Sequence, residues 1–127
     1  MSMNKTILVI EDDEQMVRLY QTALSRFGEV RVANSLAQAR TQLQGLDLIV
    51  LDYHLEDETI RFQDMVPELK QHAPVLLCSG VFDPRVPAMG QGLGVVGYWN
   101  KVDSLDALFQ LVAKALGVPA PSASGTS

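Results

Sequence analysis

Hydrophobic residues along the chain gather in short runs that are separated by amphipathic or polar stretches. Four runs are continuously apolar: residues 7–10 (ILVI), 48–51 (LIVL), 75–78 (VLLC) and 95–99 (VVGYW). Since polar and apolar positions do not alternate within them, each run predicts a strand that is buried on both faces, as in a parallel sheet covered by helices. A fifth and weaker run, residues 30–33 (VRVA), alternates and predicts an edge strand.

Helical patterns lie between these strands. The predicted helices cover residues 15–27, 35–45, 62–69 and about 104–116. Asp13 is placed to cap the first helix, Ser35 fits a capping box at the start of the second, and Gly117 marks the end of the last. Pro67 interrupts the third pattern, so that helix is expected to be kinked or to begin late. Prolines and glycines between residues 83 and 94 predict a further helix that is short, distorted or mobile.

Strands and helices therefore alternate about five times. Right-handed crossovers turn such an alternation into a doubly wound α/β sheet with helices on both faces, and ligands bind at the carboxyl ends of its strands. We expect one domain over residues 4–117. Residues 118–127 are expected to form a disordered tail or a truncated linker, because the chain from Pro119 onward has no large apolar side chain.

Composition and charge narrow the class of protein. The 127 residues are 47% hydrophobic, which is enough for the core of one domain. Ten basic and fifteen acidic residues give a net charge of −5 without any basic stripe, so direct binding of nucleic acid is not expected. The single cysteine, Cys78, cannot form an internal disulfide and is interpreted as a small buried residue. With no signal peptide and no membrane-spanning run, a cytoplasmic protein without membrane contact is expected.

The candidate chemistry collects where the strands end. The polar residues that follow the four strong strands are Glu11, Asp12 and Asp13, then Asp52, then Ser79, and finally Asn100 and Lys101. Crowded carboxylates repel each other, and a hard cation such as Mg²⁺ relieves that repulsion by accepting oxygen ligands. Mg²⁺, the Lys101 ammonium and the Ser79 hydroxyl together could neutralise a phosphoryl group. Asp52 would then be the nucleophile that forms an aspartyl phosphate.

Four segments carry a resemblance to a known family: residues 7–13 (ILVIEDD), 47–52 (DLIVLD), 79–80 (SG) and 97–101 (GYWNK). Their order and spacing resemble the response-regulator receiver domain of two-component signalling, the CheY-like family, over residues 6 to about 116. The resemblance implies a flavodoxin-like, five-stranded parallel sheet in the order 2-1-3-4-5 with helices on both faces, so that residues 4–117 would be a receiver domain.

The resemblance also implies roles for individual residues. Glu11, Asp12, Asp52 and the backbone carbonyl of His54 match the ligands of Mg²⁺, and Asp52 matches the phosphoacceptor. Lys101 matches the lysine that contacts the phosphoryl group. Ser79 and Tyr98 resemble the switch hydroxyl and the switch aromatic, which move together when the acceptor is phosphorylated.

The function implied is that of a phosphoacceptor signalling switch. A sensor histidine kinase or a phosphotransfer protein would donate the phosphoryl group in a Mg²⁺-dependent reaction, and the shifted Ser79/Tyr98 face would control an output domain or effector protein. Such a domain is not an enzyme beyond promoting its own phosphorylation and dephosphorylation.

The sequence departs from the family pattern at several positions. Val102 stands where a proline usually follows the lysine, so the proline turn that usually presents the lysine is absent. Glu56 and Ile60 replace a proline and a glycine downstream of the acceptor, and residues 56–58 make this loop unusually acidic. These departures leave open a degenerate receiver that binds proteins without being phosphorylated.

A second alternative is a phosphatase with an aspartyl nucleophile. Such enzymes resemble an Asp-x-Asp arrangement, and His54 stands at the place of the second acid, which counts against this reading. His54 could instead supply its side chain to a metal or to acid–base chemistry, although a lone loop histidine is more often solvated. Asp13 is interpreted as a helix cap rather than as a ligand. Of the adjacent Tyr98 and Trp99, at least one is expected to be ordinary packing.

Overall fold

The structure, a computed structural model, describes residues 4–52, 62–79 and 85–121. Within these ranges, strands and helices alternate along the chain. The elements are β1 (Lys5–Ile10), α1 (Glu14–Leu24), a 3₁₀ turn (Ser25–Phe27), β2 (Gly28–Ala33), α2 (Leu36–Arg40), β3 (Leu48–Asp52), α3 (Phe62–Leu69), β4 (Val75–Ser79), α4 (Arg85–Leu93), β5 (Gly97–Asn100) and α5 (Leu105–Leu116).

The five strands form one parallel sheet in the order β2-β1-β3-β4-β5. The predicted strand order and fold class are therefore confirmed. The register aligns the carboxyl ends of the central strands: Ile10 lies opposite Leu51, Asp52 opposite Cys78, and Ser79 opposite Asn100.

The sheet separates two hydrophobic layers, because neighbouring side chains of a strand point to opposite faces. Alternate residues of β1 and β3, such as Val9 and Val50, pack under α1 and α5. Their neighbours Leu8 and Ile49 pack under α2 and α3 on the other face. All of β3 and β4 is buried, which explains why these strands are apolar without alternation.

Capping residues define several helix ends as expected. The Asp13 carboxylate accepts hydrogen bonds from the backbone N–H groups of Gln15 (2.8 Å) and Met16 (3.4 Å), which confirms its role as the cap of α1. The Ser35 hydroxyl accepts from the N–H of Gln38 at 3.2 Å. Gly117 ends α5 with a left-handed φ of 70°, a conformation that favours glycine.

Other boundaries differ from the sequence prediction. The α-helical part of the first helix ends at Leu24, and α2 ends at Arg40 instead of reaching residue 45. The bounds of α3 match the predicted range 62–69, and Pro67 lies inside the helix, so of the two alternatives only the late start is wrong. The further helix predicted between residues 83 and 94 is present as the nine-residue α4, with Pro87 in its first turn, where the missing N–H costs no intrahelical bond.

The segment after α5 follows the first hydrophobic layer. Val118 and Ala120 are half-buried against it, within the stretch for which the sequence predicts a tail or linker. Residues 122–127 lie outside the described residues, and the domain boundaries stay a prediction. None of the helices in the described ranges is long and apolar enough to cross a membrane.

Candidate functional site

Polar side chains from three strands meet at the carboxyl edge of the sheet. Glu11 follows β1 directly, Asp52 is the last residue of β3, and Lys101 follows β5. Since Ile10 and Leu51 are opposite each other in adjacent strands, Glu11 and Asp52 are next in register. They continue the face that packs under α1 and α5, two residues beyond Val9 and Val50.

Lys101 lies across this carboxylate pair. Its Nζ forms an ion pair with Asp52 Oδ2 and is 3.7 Å from Glu11 Oε1. Glu11 and Asp52 are each only 2% exposed, and the Lys101 side chain is 17% exposed. The structure therefore brings together three of the predicted site residues in a nearly buried cluster, and Lys101 reaches the acids without a proline after it.

Burial decides the protonation of this cluster. It raises the pKa of Glu11 from 4.5 to about 9, helped by a hydrogen bond with Asp52 and by the Asp52 charge, while Lys101 opposes the rise. Burial by itself would lower the pKa of Lys101. The hydrogen bond and charge of Asp52, together with the charge of Glu11, outweigh it and raise the Lys101 pKa above its ordinary value. At neutral pH the cluster thus holds the ammonium of Lys101 and a proton on Glu11.

Backbone hydrogen bonds fix the position of Glu11. Its N–H donates to the carbonyl of Ala33 in β2 at 2.9 Å, and its Oε1 accepts from the N–H of Asp13 at 3.3 Å. The second oxygen, Oε2, is buried and accepts no hydrogen bond from an N–H or hydroxyl group among the described residues. The proton on Glu11 and its hydrogen bond with Asp52 lower the cost of burying this carboxyl group, and a hard cation would replace them.

Asp12 lies beside the cluster rather than in it. It is half-buried and lines, with Glu11, a cleft of about 400 Å³ between α1 and α2. Over the described ranges, no three side chains of His, Cys, Asp or Glu are grouped so that they could hold a metal ion. Two of the predicted metal ligands, Glu11 and Asp52, are adjacent, whereas His54 lies outside the described residues.

The two predicted switch residues lie on neighbouring strands. Ser79 is fully buried at the end of β4, and its carbonyl accepts the N–H of Lys101 at 2.7 Å. Tyr98 in β5 is half-buried against the layer on the α3 and α4 side. Its hydroxyl is buried and has no hydrogen-bond partner among the described residues. Trp99 faces the opposite layer and belongs to the core, so at least one of the two aromatics is ordinary packing, as expected.

Sequence reasoning missed Tyr20, which lies beneath the cluster. Its side chain is fully buried beside the Cys78 thiol, with its ring edge-on to Trp99 at 6.1 Å between centroids. Burial, then Cys78 and the carboxylates above, raise the pKa of Tyr20, and burial raises that of Cys78 to about 12, so both stay neutral. A phenol among aliphatic residues on the inner face of α1 was the available signal.

Solved structures of known proteins share this architecture. No protein-family model matches the chain, and no curated protein matches its sequence significantly. A response regulator receiver domain protein from Clostridium thermocellum is 20% identical, with 89% of this chain and 94% of that chain covered and a TM-score of 0.78. A two-component response regulator from Clostridium difficile is 18% identical, with coverage of 90% and 97% and a TM-score of 0.80.

A third structure contains a modified residue. It is a response regulator protein from Burkholderia pseudomallei with a phosphorylated aspartic acid, a calcium ion and citrate. It is 22% identical, with 87% of this chain and 65% of that chain covered and a TM-score of 0.71. The chain described here therefore has the fold of response-regulator receiver domains.

Proposed function

We propose that this protein is a phosphoacceptor signalling switch in which Asp52 takes a phosphoryl group from a sensor histidine kinase or a phosphotransfer protein. The observation that carries the proposal is the buried cluster at the carboxyl edge of the sheet, where Asp52 contacts the Lys101 ammonium beside Glu11. A carboxylate held against a cation in a low-dielectric site is suited to attack phosphorus while the developing charge is neutralised.

The transfer step forms one bond and breaks one. An Asp52 carboxylate oxygen attacks the phosphorus of the donor, the bond from phosphorus to the donor's nitrogen or oxygen breaks, and its electron pair leaves with the donor. Lys101 is the residue that offsets the charge on the transferred oxygens. Its present contact with Asp52 shows that the ammonium can reach that carboxylate.

Mg²⁺ is the proposed cofactor. Glu11 and Asp52 would hold it, with Asp12 and the backbone carbonyl of His54 as further ligands, and it would neutralise phosphoryl oxygens during transfer. The buried Glu11 Oε2, which accepts no N–H or hydroxyl hydrogen bond among the described residues, supports this assignment, because a cation could take the place of the Glu11 proton. Binding would require the proton on Glu11 to leave.

The proposed output of the switch is a shift of the Ser79/Tyr98 face. Phosphorylation adds roughly two negative charges and strong acceptor oxygens. Ser79 ends the strand next to Asp52, so its hydroxyl is a nearby donor, and Tyr98 has a buried hydroxyl whose hydrogen bonds are not satisfied among the described residues. We expect slower amide exchange over residues 85–98 after phosphorylation, and identical exchange in both states would contradict this output.

Neighbours in the receiver fold support the proposal, since one of them contains a phosphorylated aspartic acid. The decisive experiment is intact-mass measurement after incubation with acetyl phosphate and Mg²⁺. We expect a gain of one phosphoryl group that EDTA prevents. Asp52→Asn and Asp52→Ala should abolish the gain, whereas Asp64→Asn, an exposed carboxylate on α3, should retain it.

Two outcomes would favour other functions. Absence of any mass gain with several small phosphodonors would support a receiver-like module that binds proteins without phosphorylation. Rapid turnover of a generic phosphate ester, lost in His54→Ala, would support a phosphatase instead.

A further inference from the structure

The turn that follows β5 is built around Asn100. The side-chain Oδ1 of Asn100 accepts a hydrogen bond from the N–H of Val102 at 3.1 Å, and its carbonyl accepts from the N–H of Asp103 at 2.8 Å. Lys101 lies within this turn, and its own N–H donates a hydrogen bond to the carbonyl of Ser79 at 2.7 Å. All three bonds fix the backbone on either side of the residue whose ammonium reaches Asp52.

The Asn100 side chain is well suited to this task. An asparagine that bonds the N–H two residues ahead makes an Asx turn, which imitates a backbone turn and fixes its direction. Asn100 is only 8% exposed, so its Oδ1 faces little competition from water. The Val102 side chain is 80% exposed and contributes little packing that could hold the turn in its place.

The far end of the same turn is anchored separately. Trp99 Nε1 donates to the carbonyl of Ser104 at 3.2 Å, and the Ser104 hydroxyl caps α5 by accepting the N–H of Ala107 at 3.2 Å. The Trp99 ring is itself buried in the layer under α1 and α5. Because both ends are fixed to the core, the direction in which Lys101 leaves the backbone depends on the middle of the turn, where Asn100 acts.

We propose that Asn100 is a positioning residue for Lys101: its buried amide oxygen holds the turn that directs the ammonium onto Asp52 and Glu11. The effect of this placement on phosphoryl transfer rests on the proposed function, whereas the placement itself does not. The hydrogen bonds of Asn100 described above go to the backbone of the turn, so Asn100 would act on the reaction through Lys101.

Competitive acylation of lysines, read by mass spectrometry, tests the placement without any phosphorylation. In the native protein Lys101 should react slowly, because its Nζ is paired in a nearly buried site, and exposed Lys114 on α5 serves as the internal reference. Asn100→Ala removes the acceptor and should raise the labelling of Lys101 relative to Lys114 several-fold. Asn100→Asp, which keeps an acceptor oxygen, should restore protection. An unchanged ratio in Asn100→Ala, or equal labelling of the Ala and Asp variants, would overturn the proposal.

A matched variant separates positioning from loss of stability. Ser104→Ala removes the hydroxyl cap of the adjacent helix but keeps the backbone carbonyl that accepts from Trp99, so the labelling of Lys101 should stay unchanged. If circular dichroism shows that Asn100→Ala does not fold, Asn100→Ser carries the test, since its hydroxyl is a weaker acceptor and should give intermediate labelling. Labelling of Asn100→Ser that equals the native level would then refute the assignment.

Phosphorylation by acetyl phosphate tests the consequence. Asn100→Ala should lower the transfer rate roughly 10-fold with little change in the Mg²⁺ concentration for half-maximal rate, and Asn100→Asp should recover most of it. If the native protein itself accepts no phosphoryl group, the proposed function fails while the labelling result still stands. Native transfer with equal rates in all three proteins would show that Asn100 does not serve the reaction.

Discussion

The chemistry of single residues in this protein depends on how two carboxyl groups and one ammonium share a buried space. Glu11 has a pKa of about 9 in the folded protein against an ordinary value of 4.5. The fold therefore favours the protonated form of Glu11. Its contribution to stability is complete below pH 4.5 and is lost as the pH rises from 4.5 through 9. The raised pKa of Lys101 adds no trend in this window, because its ammonium stays charged throughout.

Glu11→Gln should consequently become more stable than the native protein as the pH rises. The neutral amide removes the cost of a buried charge, so we expect a gain of about 1–3 kcal/mol at pH 8 without Mg²⁺, shrinking towards pH 5. Urea unfolding at both pH values measures this difference, with exposed Glu14→Gln as the control for loss of one carboxylate. If the free energy of unfolding of the native protein instead rises relative to that of Glu11→Gln between pH 5 and pH 8, Glu11 is not held protonated.

Lys101→Ala should separate metal binding from phosphoryl transfer. Glu11 and Asp52 remain in place to bind Mg²⁺, but the ammonium that offsets the phosphoryl charge is gone. We expect a transfer rate lower by roughly 10²-fold with Mg²⁺ binding retained, and partial recovery in Lys101→Arg. The measurements are the rate of mass gain with acetyl phosphate and a Mg²⁺ titration. Equal rates in the native and Ala proteins would mean that Lys101 has no part in transfer.

At the scale of elements, periodicity predicted the existence and order of the strands better than their ends. Val95 and Val96 are apolar, so the sequence assigned them to the last strand, yet β5 begins at Gly97 and Val96 is 45% exposed. A continuous apolar run carries no mark of where pairing begins, because the register is set by the neighbouring strand. The further helix predicted between residues 83 and 94 is present as the nine-residue α4.

Two glycines of α4 should respond in opposite ways to alanine. A Cβ on Gly90 would lie 3.1 Å from Leu77 Cδ2 and 3.1 Å from Val95 Cγ2, so packing against the sheet must give way. A Cβ on Gly92 would meet no atom within 4 Å, and alanine there should add about 0.5–1 kcal/mol through helix propensity. The free energy of unfolding of Gly92→Ala, measured with urea, should therefore be higher than that of Gly90→Ala by at least about 1 kcal/mol. The reverse order would show that α4 does not pack closely on β4.

At the scale of the whole molecule, the sequence predicted that Glu11, Asp52 and Lys101 lie together, because the topology of the sheet alone brings the strand ends together. Glu11, Asp52 and Lys101 needed no knowledge of side-chain packing to be grouped, since parallel strands end at one edge. Topology alone did not predict the position of Tyr20 beneath the cluster or the proposed role of Asn100. Both depend on which side chains contact each other across the layers and within the turn. The periodicity of a single sequence does not contain that information. The proposed metal ligands Asp12 and His54 stay predictions.

Binding of Mg²⁺ should couple this site to the stability of the entire domain. A cation that binds the folded cluster and not the unfolded chain stabilises by about 2.7 kcal/mol at 100 times its Kd. For a domain of 127 residues, this corresponds to a Tm increase of roughly 10 °C. The proton on Glu11 must leave before the cation binds, so the increase at a fixed Mg²⁺ concentration should grow from pH 6 to pH 8.5. Thermal unfolding with and without Mg²⁺ at constant ionic strength measures this increase in Tm.

Asp52→Asn should lose most of the increase while Asp64→Asn keeps it. A shift that is equal in both variants, or that falls as the pH rises, would place the cation elsewhere on the protein.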